Sequence, residues 1–313
     1  MIGAAAQYPS IRGTLRAACP SLTAARRRRP YTKRDASRSG TKHRATATLA
    51  LSSETPPTER HRAFGSIAGT WQEAAATLRP RRESRDGPLP PLLLTLTVVT
   101  GLVDATSYLK LGHVFVANMT GNIVFLGFGI AGAGGISVWA SLTALGSFLV
   151  GGLVGGRIGA RAATNRARHL TVATETQLLL VAGALVIAAL AGDDLGPGSR
   201  YALIVLLAIA MGIQNTAARQ LAVPDLTTTV LTMTLTGVAA DAPLAGGHGS
   251  RLGRRAPSIA AMLLGALIGG LLVLKVDNAA PLALATGLLG LVSLLTYRAS
   301  RSPAAWAYSG TQA

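Results

Sequence analysis

Apolar residues in this chain come in long blocks. From Pro90 onward, runs of Leu, Ala, Val and Gly are broken by short charged or glycine-rich stretches. A helix needs about 20 such residues to cross a hydrocarbon core of roughly 30 Å, so the blocks predict membrane-spanning helices. Pro90 and Pro91 open the first run, which reaches Leu109; proline is tolerated in a helix's first turn. Seven more follow: Val114–Ala131, Val138–Ile158, Thr174–Ala191, Tyr201–Ala218, Leu226–Ala240, Ile259–Leu274 and Ala279–Tyr297. The block Leu226–Ala240 is the weakest, with six threonines.

Charge decides how many of the eight cross. If all cross from a cytoplasmic start, the basic loop Arg157–Arg168 falls outside and the acidic turn Asp193-Asp194 falls inside, against the positive-inside rule. If the second and sixth blocks enter and return on one side, the conflict disappears. The Arg79, Arg81, Arg82, Arg85 cluster, the Arg157–Arg168 loop, the Arg251–Arg255 loop and Arg298/Arg301 then all become cytoplasmic. The two demoted blocks carry Asn118, Thr120 and Asn122 in one and six threonines in the other. The expected fold is therefore an all-α membrane protein with six full transmembrane helices plus two polar re-entrant or broken segments. Both termini face the cytoplasm.

The same division shows as a weak internal repeat. Gly101-Leu102-Val103-Asp104 aligns with Gly212-Ile213-Gln214-Asn215 at a spacing of 111 residues. Phe115 and Asn118 then fall opposite Leu226 and Thr229. Thr120-Gly121 meets Thr236-Gly237 after a slip of five, and Gly151-x-x-x-Gly155 corresponds to Gly265-x-x-x-Gly269. The halves are 91–191 and 201–297. With six crossings they have opposite orientation, an architecture in which transporters and channels hold substrate near the midplane.

Asp104 is the sharpest chemical feature. A carboxylate in a span costs roughly 2.5–3.5 kcal/mol to insert, so it faces a cavity or a partner. Thr97, Thr100, Asp104 and Ser107/Tyr108 share one helix face. Two readings stand: an ion, proton or substrate site, or a boundary carboxylate capped by the following backbone or paired with Lys110. Asn118, Thr120 and Asn122 follow in the second block, where polar side chains on irregular backbone suit a small solute or ion; interhelical hydrogen bonding is the alternative. Their second-half counterparts are Gln214, Asn215, Thr232 and Thr236, with Asp225 placed to N-cap the broken segment. Glu175 and Gln177 read as interfacial. His113 and His248 stand alone, without metal-ligand spacing. The glycine ladders read as packing faces.

Composition narrows the picture further. The chain has 313 residues, 49% of them hydrophobic, and a formal net charge of +17. Residues 1–88 hold 17 Lys and Arg against 6 Asp and Glu. This Arg-, Ala- and Ser-rich segment reads as a disordered tail, and 301–313 as a short C-terminal one. No nucleic-acid motif accompanies the charge, so it reflects the tail and cytoplasmic loops rather than nucleic-acid binding. Cys19 is the single cysteine and forms neither an internal disulfide nor a metal cluster. No hydrolase elbow, phosphate loop or triad is present; Gly151–Gly156 lies mid-span and follows no strand, which excludes a nucleotide loop. No enzyme and no cofactor is expected.

The motifs T-G-L-V-D-A-T-S-Y-L (Thr100–Leu109), V-F-V-A-N-M-T-G-N (Val114–Asn122), G-I-Q-N-T-A-A-R (Gly212–Arg219) and P-D-L-T-T-T-V-L-T (Pro224–Thr232) resemble those of the YoaK family of bacterial inner-membrane proteins. The resemblance covers about residues 90–300. It implies six spans, a bacterial inner membrane and a domain of unknown function, and supplies no substrate or active site. Two functions are expected of such a chain. One is a small-solute or ion transporter or channel with a midplane polar site between the halves. The other is a non-transporting scaffold or sensor whose polar residues only pack. The lipid bilayer is the certain partner, and a homo-oligomer is compatible with the sequence.

Overall fold

The structure is a computed structural model, and it describes residues 69, 72–79, 86–162, 165–192, 194–223, 231–242, 245, 252–301 and 305–307. Asp193, Pro224 to Val230, His248 and Arg251 lie outside the described residues, as do 1–68. Within the stretch read as a tail, residues 72–78 form two turns of helix.

The described core is entirely helical. In chain order it comprises α1 (Leu89–Lys110), α2 (Met119–Ile130), α3 (Val138–Arg161), α4 (Arg166–Ala191), α5 (Pro197–Leu221), α6 (Leu231–Ala240), α7 (Leu252–Lys275) and α8 (Ala280–Ser300), followed by a 3-10 turn at Ala305–Ala307. Six of these are long and apolar enough to span a membrane: α1, α3, α4, α5, α7 and α8. With 12 and 10 residues, α2 and α6 rise only about 18 and 15 Å, short of the roughly 30 Å hydrocarbon core.

Several helices run past the apolar blocks that announce them. Helix α4 begins at Arg166, eight residues before Thr174, because the Asn165 side chain caps it by accepting from the Arg168 N–H at 2.8 Å. Helix α7 likewise takes in Arg254 and Arg255. Charge lowers hydropathy without ending a helix, so these basic loops are largely helix ends. The second block shortens instead: residues 114–118 are irregular, and helix starts only at Met119.

The spans pack through matched glycine crossings. On α7, a Cβ on Gly265 would strike the Val98 carbonyl of α1; on α3, a Cβ on Gly151 would strike the Ile209 carbonyl of α5. One turn on, a Cβ on Gly269 would lie 2.9 Å from Leu102 Cα, and one on Gly155 would lie 3.1 Å from Ile213 Cα. Conversely, Gly101 faces the Met262 carbonyl and Ala266 nitrogen, while Gly212 faces the Phe148 carbonyl and Gly152 nitrogen. Every contact in one crossing has its counterpart in the other, 111 residues on for α1 and α5 and 114 for α3 and α7. Small residues let backbones approach this closely. In both crossings residue numbers rise together, so α1 runs parallel to α7, and α3 to α5.

The helix ends define two faces. Arg166, at the start of α4, pairs with Asp86 just before α1 at 3.2 Å and donates to the Leu221 carbonyl at the end of α5 at 2.9 Å. Trp306, beyond α8, is buried over Gly87. On the opposite face, the Asn278 amide before α8 donates to the Gly192 carbonyl after α4 at 3.1 Å. Hence α1, α4 and α7 run one way, and α3, α5 and α8 the other. The chain leaves α1 and enters α3 on the same face, so α2 does not carry it across the bundle; α6 stands likewise between α5 and α7.

Candidate functional site

Helix α1 is the most enclosed of the six long helices, and Thr97, Thr100, Asp104, Thr106 and Ser107 on it are buried. Its threonines are largely self-satisfied: Thr97 and Thr106 donate to the carbonyls of Leu93 and Leu102, each at 2.9 Å, and Thr100 to that of Leu96 at 2.9 Å. Such bonds to the preceding turn let hydroxyls sit in an apolar helix at small cost.

Asp104 is different. It lies 4% exposed on the sixteenth residue of α1. Its Oδ1 accepts from the backbone N–H groups of Val116 (3.1 Å) and Ala117 (2.9 Å), in the irregular segment leading into α2. Among the described residues no hydrogen-bond partner reaches Oδ2. The segment is held a second time by Asn122, whose Oδ1 accepts from the Phe115 N–H at 2.9 Å while its Nδ2 donates to the Phe115 carbonyl at 2.5 Å. Two side chains thus satisfy both polar groups of Phe115 and the next two N–H groups. This is why the second block is not helical from Val114: its amides are taken by side chains. The positive end of α2 also lies on Asp104's side of the segment, where a carboxylate is favoured. The expected pairing with Lys110 is not seen among the described ion pairs; the capped reading holds for Oδ1.

An aromatic stack lies just outward of this clasp. Tyr108, one turn beyond Asp104, stacks on Phe115 at 5.0 Å between centroids, and Phe125 lies 5.7 Å from Phe115. His113 meets Tyr108 edge-on at 5.3 Å and adopts a left-handed φ of 57° after Gly112 at 95°.

A second polar group lies nearer the bundle's middle. Gln177 of α4 donates to Gln214 Oε1 at 2.6 Å. Gln214 of α5 in turn donates to Thr100 Oγ1 at 2.7 Å and, more weakly, to the Leu96 carbonyl at 3.3 Å. All three are buried. Gln177 is thus not interfacial, as expected from sequence, but central. It is the twelfth residue of a helix whose first two turns the hydropathy pattern misses.

The expected site residues therefore separate. Asp104 and Asn122 converge on one segment, and Gln214 sits one turn away on the same α1 face through Thr100. Asn215 is half-buried and donates to its own helix at the Met211 carbonyl, 2.9 Å away. Asn118, Thr120, Thr232 and Thr236 are exposed and are not brought to Asp104. No group of His, Cys, Asp and Glu that could hold a metal occurs among the described residues.

This combination of six apolar spans, an enclosed polar helix and parallel glycine crossings defines a multi-pass α-helical membrane protein. Residues 92–295 match the family model described as "Protein of unknown function (DUF1275)", and the chain belongs to that family. It is also similar to the "UPF0700 transmembrane protein YoaK" of Bacillus subtilis (strain 168), at 39% identity over 150 residues, which cover 48% of this chain and 65% of that relative. The chain thus matches just under two thirds of the relative's length. No solved structure matches.

Proposed function

We propose that the chain is a small-solute or ion transporter or channel of a bacterial inner membrane, not an enzyme. Its halves are inverted repeats around a site on α1. Six helices cross, α2 and α6 enter and return, and both termini are cytoplasmic. The reading that Asp86, Arg166, Leu221 and Trp306 share the cytoplasmic face is supported by the basic residues at the neighbouring helix ends.

One observation carries the proposal. The two oxygens of Asp104 do different work: Oδ1 holds the segment before α2, and Oδ2 is a buried acceptor without a donor. A buried polar atom left unsatisfied costs roughly 1–3 kcal/mol. That cost is relieved when a proton, a cation or a donor group of a solute arrives. Irregular backbone beside it is what a protein-lined solute path tolerates.

The closed chain Gln177–Gln214–Thr100 favours a second reading, in which the polar residues only tie α1, α4 and α5 together in a scaffold or sensor. Replacing Asp104 by Asn separates the two. Asn keeps an acceptor for Val116 and Ala117 but cannot exchange a proton. In proteoliposomes loaded with a pH-sensitive dye, transport predicts an unchanged melting temperature with proton flux lost. Flux indifferent to the change sinks the transport reading, and so does a variant that fails only by unfolding.

A further inference from the structure

A groove of about 330 Å³ opens on the outside of the bundle between α4 and α8, lined by Glu175, Leu178, Gly290, Ser293, Leu294 and Tyr297. Its two ends differ in chemistry. Towards the face carrying Trp306 stand Glu175 and Tyr297. Deeper come Leu178 on α4 and Leu294 on α8, with Ser293 buried one residue below Leu294. Gly290 lies about two turns deeper than Tyr297, and a Cβ there would meet nothing, so the missing side chain leaves the floor open. Glu175 is exposed and makes no ion pair among the described residues. Arg301 lies over the Tyr297 ring, 4.5 Å from its centroid, and its Nη2 donates to the Tyr297 hydroxyl, which fixes a guanidinium at the rim.

We propose that this groove binds a zwitterionic aminophospholipid, with the ammonium of an ethanolamine headgroup on Glu175, its phosphate on Arg301, and an acyl chain along Leu178, Leu294 and the open floor at Gly290. Charge complementarity selects this occupant. The groove carries a carboxylate in its wall, and the guanidinium held on its lining residue Tyr297 stands at the rim, with apolar wall beyond. An anionic headgroup would satisfy Arg301 and repel Glu175. A carboxylate facing lipid without a partner is costly, and a primary ammonium supplies both charge and donors. A guanidinium is a good phosphate fork. The proposal does not depend on the transport reading.

The test uses the full chain in nanodiscs or detergent, with native mass spectrometry of retained lipid after mixing with ethanolamine, glycerol and choline phospholipids. Wild-type protein should retain the ethanolamine lipid preferentially. Glu175→Gln should lower that preference about two- to fivefold, the range of a single exposed charge pair. Arg301→Gln should weaken both ethanolamine and glycerol lipids. Both side chains are exposed, so melting temperatures should not move. Unchanged ethanolamine retention in Glu175→Gln overturns the proposal. A groove occupied by a second copy overturns it too, and would appear as a dimer mass lost in Glu175→Gln with no change in bound lipid.

Discussion

Val98 and Ile209 stand 111 residues apart and occupy the same place in opposite crossings: each presents its backbone carbonyl to the first glycine of a G-x-x-x-G pair, Gly265 and Gly151 respectively. Neither α1–α7 nor α3–α5 forms within one half of the chain. Each half is completed by the third helix of the other.

Substitution at the crossings should therefore cost stability in parallel. Gly151→Ala and Gly265→Ala each drive a methyl into a backbone carbonyl, so each should destabilise by about 1–3 kcal/mol. Gly156→Ala, where a Cβ meets nothing, should be neutral. Thermal unfolding in detergent, followed by fluorescence or size exclusion, checks all three.

The glutamine chain should behave as a unit. Gln214→Leu leaves Gln177 and Thr100 without their shared partner and should cost about 1–2 kcal/mol. Once Gln214 is gone, Gln177→Leu should cost little more. A double-mutant cycle with coupling near zero would show that the 2.6 Å contact contributes no energy.

The clasp on α2 predicts an order among Asp104 variants. Asp104→Ala deprives two buried N–H groups of their acceptor and should destabilise more than Asp104→Asn. Asn122→Ala should add to that loss, because it frees Phe115 of the same segment. Hydrogen exchange at Val116 and Ala117 should quicken in Asp104→Ala and remain slow in Asp104→Asn.

Topology is open to direct labelling. In a Cys19→Ser background, Ala133→Cys should react with an impermeant maleimide from the periplasmic side, whereas Arg161→Cys, exposed at the end of α3, should react from the cytoplasm. Cytoplasmic labelling at 133 would require α2 to cross.

Much of this architecture is legible in the chain, for identifiable reasons. Spans are set by run length, and the glycine pairs repeat visibly at 114 residues. Asp104 stands out because its insertion cost is high. Gln177 was harder to read, since Arg166 and Arg168 depress hydropathy and hide two turns of α4, which makes a central residue look terminal. The convergence of Asp104 and Asn122 on Phe115–Ala117 was beyond pattern altogether. It depends on which backbone amides are left without helix partners, and periodicity carries no trace of that. Asn118, equally polar and four residues from Asn122, faces outward; spacing puts both on one helix only if helix begins before Met119.

The α1–α7 crossing also sets a schedule for synthesis. Val98 reaches the membrane 167 residues before Gly265, the residue it packs against. At roughly 5–20 residues per second, the first span, which carries Asp104, waits on the order of ten to thirty seconds for its partner. During that interval Asp104 can already be held by the amides of Val116 and Ala117, twelve and thirteen residues downstream. The clasp thus shields the carboxylate early, while the helix bearing it is still alone in lipid.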